Sequence, residues 1–224
     1  MKKVILGAFF LLNAMFVLAQ SDSDFRGRLT VDFKTKLNKT LGLTVGAESR
    51  FKNDISDFSE VRGYVDVSNK FGKYFSLGGA YTYIAEYDLV LGEPRWDNFN
   101  KFNLSLVGSL PLKDGMKLSL RLYPSVEIGE GEDNWGLKSS IKFEYKQLGT
   151  LPVRPYCYFE LRNTLEPLDI DQNLINRYRF VVGFPYEFND NHILEFHYRI
   201  AYNAIPGNNR WDNIFGLVYT FNYR

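Results

Sequence analysis

The chain has 224 residues, with 27 Lys and Arg against 26 Asp and Glu, so it carries neither the basic excess that nucleic acid requires nor a strongly acidic surface. Its lone Cys157 cannot close an internal disulfide, which excludes stapling as the source of stability. Aromatic residues reach 17%, which suits a sheet that displays Phe and Tyr to lipid better than it suits a small soluble core.

The N-terminus opens with Met1-Lys2-Lys3 and continues as an uncharged apolar run over residues 4–18. That order of charge and apolarity is a secretory signal peptide. Small residues at Val17 and Ala19 predict cleavage before Gln20. The apolar run, about 15 residues, is short of the roughly 20 that a spanning helix needs. Residues 1–19 are therefore expected to be removed, with no lipid-anchoring Cys after them, and residues 20–224 to form one domain.

From there the chain alternates with period two. Phe25, Leu29, Val31, Phe33 and Leu37 share one parity, and Arg26, Arg28, Thr30, Asp32 and Lys34 share the other. Asn38-Lys39 makes a tight link to a second run, in which Leu43, Val45, Ala47 and Phe51 oppose Thr44, Glu48 and Arg50. Val61, Val65 and Val67 then oppose Glu60, Arg62 and Asp66, and Phe75, Leu77, Tyr81 and Tyr83 oppose Ser76, Ala80 and Thr82. Leu104 and Leu106 oppose Asn103 and Ser105, while Leu118, Leu120 and Leu122 oppose Ser119, Arg121 and Tyr123. Trp135, Ile141 and Phe143 oppose Lys138, Lys142 and Glu144, and Cys157, Phe159 and Leu161 oppose Tyr158, Glu160 and Arg162. Tyr178, Phe180 and Phe184 oppose Arg177, Arg179 and Glu187; Phe196, Tyr198 and Ile200 oppose Glu195, His197 and Arg199. Phe215, Leu217, Tyr219 and Phe221 close the series against Ile214, Val218 and Thr220.

This gives eleven runs and no helix. Most run about 10 to 13 residues, longer than soluble strands of roughly 5 or 6 and long enough for a bilayer crossing of about 9 to 11. Backbone groups cannot stay unpaired in lipid, so such a sheet must close. The predicted fold is all-β: a single antiparallel up-and-down transmembrane barrel of about 10–12 strands. Eleven sits awkwardly, because bacterial barrels usually have an even strand number with both ends in the periplasm. Either a run is split, a strand lies within residues 163–176, or the N-terminal segment is irregular.

Connections alternate between tight links at residues 38–39, 70–73, 113–115 and 189–191 and longer polar stretches at 86–96, 129–134, 163–176 and 203–209. Barrels place short turns in the periplasm and long loops outside. Arg95-Trp96-Asp97-Asn98 recurs as Arg210-Trp211-Asp212-Asn213, each beginning a strand after a long connection. Trp96, Trp135, Tyr178 and Trp211 are thus expected to form an outer aromatic girdle. Rim ion pairs explain the repeated Arg and Asp better than a ligand site does.

The chain resembles, over nearly its whole length, the outer-membrane β-barrels catalogued as domain of unknown function 2490. The resemblance lies in residues 28–37 and 41–51 joined by Asn38-Lys39, in Lys73-Tyr74-Phe75-Ser76-Leu77-Gly78 leading to Tyr81-Thr82-Tyr83, in Asn176-Arg177-Tyr178-Arg179, and in Leu217-Val218-Tyr219-Thr220-Phe221. It implies a barrel and an outer membrane, and no reaction. One departure is Arg224 after Tyr223, where barrel proteins commonly end in an aromatic read by the insertion machinery.

The lumen-facing set holds Arg28, Glu48, Arg50, Arg62, Arg121, Glu160, Arg162, Arg179, Glu195, His197 and Arg199. Charges this dense either pair across strands or line a wet passage. About ten strands lies between closed barrels of eight and open pores of sixteen or more, and long Arg and Tyr side chains favour a constricted lumen. An alternative is a barrel-embedded lipid hydrolase of the phospholipase or lipid A deacylase type, with His197 as base. His192 lies in an inner turn, and no Ser is spaced to serve His197, so the network reading is preferred. No metal cluster or phosphate loop stands out. The expectation is a non-enzymatic, cofactor-free structural or narrow solute-passage component, whose partners are outer-membrane lipids and the insertion machinery, with no nucleic acid or nucleotide.

Overall fold

The computed structural model describes residues 23–90, 93–129, 133–146, 148–149, 151–165, 175–204 and 210–223. The expected signal peptide at residues 1–19, and most of the 163–176 stretch proposed to hide a strand, lie outside these residues. Eleven strands are present among them: β1 (Ser23–Lys36), β2 (Leu41–Lys52), β3 (Asp57–Phe71), β4 (Phe75–Val90), β5 (Glu93–Pro111), β6 (Met116–Ile128), β7 (Asn134–Tyr145), β8 (Tyr156–Thr164), β9 (Ile175–Glu187), β10 (His192–Asn203) and β11 (Arg210–Tyr223). A single 3-10 turn at Lys113–Gly115 is the one helical element among the described residues. There Asp114 and Gly115 take φ of 58° and 75°, the left-handed backbone that lets two long strands reverse tightly.

Each strand pairs antiparallel with its sequence neighbour, and the sheet closes into a barrel through β1 against β11. That last pairing is parallel, running in register from Ser23 opposite Trp211 to Thr35 opposite Tyr223. Eleven strands lie within the expected 10–12, and the odd number is accommodated for a topological reason. An odd number of up-and-down strands leaves the first and last pointing the same way, so closure can be made only by a parallel ladder. β1 consequently starts at the end of the barrel that carries the longer connections.

The stretch 86–96, expected as a loop, is mostly strand: Tyr87 faces Trp96 and Asp88 faces Arg95 in a hairpin that rises beyond its neighbours. Its polar residues resemble a loop, but the alternation continues through Tyr87 and Leu89. Conversely, the β2–β3 connection at the same end is tight, with Asn53, Asp54 and Ile55 all at positive φ.

The distribution of side chains inverts that of a soluble domain. Leu29, Val31, Leu104, Leu106 and Leu120 are exposed on the outer wall, whereas Thr30, Asp32, Glu48, Asn103 and Ser105 are buried inside. Because residues i and i+2 share a face, one strand supplies both sets. The wall thus presents an apolar exterior around a polar interior.

Candidate functional site

The lumen is the only enclosed polar space the wall creates among the described residues, and its chemistry follows from register. Glu48 stands opposite Thr30 on β1 and Arg62 on β3, and Arg50 stands opposite Arg28 and Glu60. Glu48, 8% exposed, accepts from Arg50 Nε at 2.6 Å and from Thr30 Oγ1 at 3.3 Å, and lies 3.2 Å from Arg28 Nη1. Glu60 takes Arg50 Nη1 at 3.2 Å and also pairs with Arg62. Four of the expected network residues, Arg28, Glu48, Arg50 and Arg62, thus form one cluster with Glu60 in which each carboxylate serves more than one guanidinium.

Elsewhere the network breaks into separate pairs. Arg179 Nη1 donates to Glu160 at 2.9 Å, and Lys101 Nζ to Glu127 at 2.6 Å, both between direct cross-strand neighbours. Asp212 takes Arg210 Nε at 3.1 Å and a hydrogen bond from Asn203 Nδ2 at 2.7 Å. Arg121 donates to Ser105 Oγ at 3.2 Å and stacks 4.4 Å above the Tyr123 ring. Arg162 and Arg199, also expected in the network, have no carboxylate within ion-pair distance among the described residues.

A feature that sequence reasoning missed lies midway along the lumen. Tyr64, Tyr156 and His197 each lie flat over a glycine directly opposite on the next strand, at Gly46, Gly183 and Gly216. A Cβ built at any of the three would overlap the facing ring. The Tyr64 hydroxyl donates to Asp32, and the Tyr156 hydroxyl donates to Glu195 Oε1 at 2.6 Å. His197, 5% exposed, holds Nδ1 3.3 Å from Glu195 Oε1. The ring is therefore enclosed inside the barrel, away from the wall that a lipid substrate would touch. His192 sits at the short-turn end, its Nδ1 2.6 Å from the Tyr219 hydroxyl. The signal available in the sequence was glycine at lumen parity, but only the register reveals what each glycine accommodates.

Gly46→Val is expected to lower stability by about 1–3 kcal/mol, because the added carbons force Tyr64 off the wall and from Asp32. Urea unfolding from lipid vesicles measures it. Tyr64→Ala in the same chain should restore most of the loss, and additive losses would refute the contact.

At the end of the longer connections several aromatics pack on one another. Trp96 packs on Tyr87 at 5.1 Å and Phe58 at 6.0 Å, and Trp211 packs on Tyr202 at 4.9 Å, which meets Tyr178 at 6.1 Å. Trp135 projects from the same wall at the start of β7, opposite Val126. Within the repeated tetrapeptide each Arg pairs with the Asp two residues on, at 2.8 Å for Arg95–Asp97 and 3.1 Å for Arg210–Asp212. The Asn of each copy faces outward and accepts from a Tyr of the adjoining strand, Asn98 from Tyr83 at 2.6 Å and Asn213 from Tyr198 at 2.7 Å. The repeat is thus one structural device used twice, satisfying an outward amide by a neighbouring phenol.

Two large cavities lie in the lumen among the described residues. One of about 570 Å³ lies toward the longer connections and is lined by Arg28, Arg62, Arg162, Arg179 and Arg199 among others. The other, of about 410 Å³, opens among the short turns and is lined by Lys34, Thr44, Ser68, Arg154 and Glu187 among others. Along β2, Gly46 and Glu48 separate the two; along β3, Tyr64 and Asp66 do; along β10, Glu195 and His197 do.

No curated protein matches the chain. Among solved structures, the translocator domain of the autotransporter NalP from Neisseria meningitidis is similar at a TM-score of 0.41 and 14% identity, over 75% of this chain and 70% of that one. A family model described as "Protein of unknown function (DUF2490)" matches residues 29–212, which begins inside β1 and ends inside β11. That span takes in both aromatic-bearing repeats up to Asp212, the ion-pair cluster apart from Arg28 and the glycine-backed belt apart from Gly216, and the chain, a closed β-barrel, belongs to this family.

Proposed function

We propose that the chain is an outer-membrane barrel, exported behind a cleaved signal peptide at residues 1–19, whose lumen is a narrow passage for small solutes. The observation that carries this reading is the pair of cavities along the lumen, about 570 Å³ and 410 Å³, parted by a belt that contains Tyr64, Tyr156 and His197. Rings laid against glycines leave space that projecting rings would fill. Outer-membrane lipids cover the apolar wall, the aromatics around Trp96, Trp135, Tyr178 and Trp211 sit at the outer boundary, and the barrel-insertion machinery delivers the chain.

Planar-bilayer recording of the refolded protein tests this, with heat-dependent gel mobility as the check of folding. A small steady current is expected, and Tyr64→Ala with Tyr156→Ala should enlarge it several-fold by widening the belt. A folded barrel that passes no current, in both forms, overturns the passage reading.

A further inference from the structure

The larger lumen cavity is charged out of balance. Twelve Arg and Lys side chains line it against four Glu, and the ion pairs already described leave several of those cations unmatched. Three of them form a continuous row: Lys138 on β7 faces Arg162 on β8, which in turn faces Arg177 on β9. Like charges directly opposite on adjacent strands repel, and in a confined low-dielectric lumen the repulsion is weakly screened. Lys138 is partly compensated by the Tyr123 ring, 5.3 Å away. Arg162 and Arg177 have no carboxylate within ion-pair distance among the described residues and feel only the more distant charges of Glu127 and Asp212. Arg199, on the same cavity wall, is 6% exposed, pairs with no carboxylate, and its Nε has no hydrogen-bond partner. A buried guanidinium without a counterion is among the costliest groups to retain.

We propose that this chamber is a binding site for a multiply charged oxyanion, a small phosphate- or carboxylate-bearing solute held by Arg162, Arg177 and Arg199 with Lys138 at the edge. An anion placed among them converts a repulsive row into charge-assisted hydrogen bonds. Planar guanidinium forks match the paired oxygens of phosphate and carboxylate, whereas chloride offers no second acceptor. A cavity of about 570 Å³ has the size of an ordinary small-molecule site. The ligand enters as a free solute, because the barrel wall separates the chamber from lipid headgroups. The proposal rests on the reading of the lumen as solute-accessible space, and it does not require that the solute pass the belt.

Calorimetric titration of the refolded protein in detergent with inorganic phosphate, against chloride at equal ionic strength, tests it. Phosphate should bind and raise the unfolding midpoint where chloride does not. Arg162→Gln with Arg177→Gln should weaken phosphate binding by roughly tenfold to a hundredfold. In phosphate-free buffer the same double variant should unfold at a higher midpoint than the parent, since it relieves the repulsive row. Equal affinity for phosphate and chloride, or unchanged phosphate binding in the double variant, overturns the site. A barrel that conducts but does not bind phosphate sinks this inference and leaves the passage intact. One that binds phosphate but carries no current keeps the site as a closed chamber and sinks the passage.

Discussion

Glu48→Gln is expected to destabilise the folded barrel by about 3–5 kcal/mol, the scale of breaking a buried ion pair from one side. The carboxylate is buried, lies within 3.2 Å of both Arg28 and Arg50, and accepts from Thr30. A neutral amide keeps the shape and loses the charge, so Arg28 is left in the lumen without an anion and Arg50 depends on Glu60 alone. Glu187→Gln provides the comparison, because Glu187 pairs with Arg154 at the mouth, where both side chains are more than a third exposed, and should cost less than about 1 kcal/mol. Urea unfolding from vesicles measures both. Adding Arg28→Gln to Glu48→Gln should recover part of the loss, since it removes the stranded cation. Equal losses for Glu48→Gln and Glu187→Gln would show that water reaches the cluster freely and that it is not a structural hub.

Much of this architecture could be read from residue order because a barrel wall is one residue thick. Leu29 and Val31 outward, Thr30 and Asp32 inward, is a local pattern that needs no knowledge of partners. The tight turns were equally local, set by Asn38-Lys39 and by Asp114-Gly115. The partners themselves were not legible. Whether Arg162 meets a carboxylate or another cation depends on stagger between strands, and the register places it between Lys138 and Arg177. The same holds for Gly46, Gly183 and Gly216, ordinary lumen-parity residues until the strand opposite brings a ring onto each. The repeat at Trp96 and Trp211 was visible, yet the role of its Asn was not, since Tyr83 and Tyr198 reach it diagonally from another strand. The eleven runs are countable in the sequence, but how the two ends meet is not, because no local pattern records a parallel seam.

Those ends supply the second large effect. Thr30 on β1 and Val218 on β11 are direct partners across the parallel seam and share the lumen face. Adjacent strands lie about 4.8 Å apart, inside the Cα range of roughly 4.4–6.8 Å that a disulfide bridges. Thr30→Cys with Val218→Cys, in a Cys157→Ser chain, should therefore oxidise readily once folded. The bond closes a loop of nearly the whole barrel, and loop-closure entropy predicts a gain of roughly 5 kcal/mol against unfolding. Non-reducing gels with and without heating read the link, and urea unfolding reads the gain. Thr30→Cys with Thr220→Cys is the register control: displaced two residues along β11, its Cα separation rises to about 8 Å, beyond bridging. An even-stranded barrel would insert another strand between β1 and β11, hold residues 30 and 218 two spacings apart, about 9.6 Å, and form neither disulfide. Cross-linking of the in-register pair alone therefore separates a parallel-sealed barrel of eleven strands from every even-stranded arrangement of the same chain.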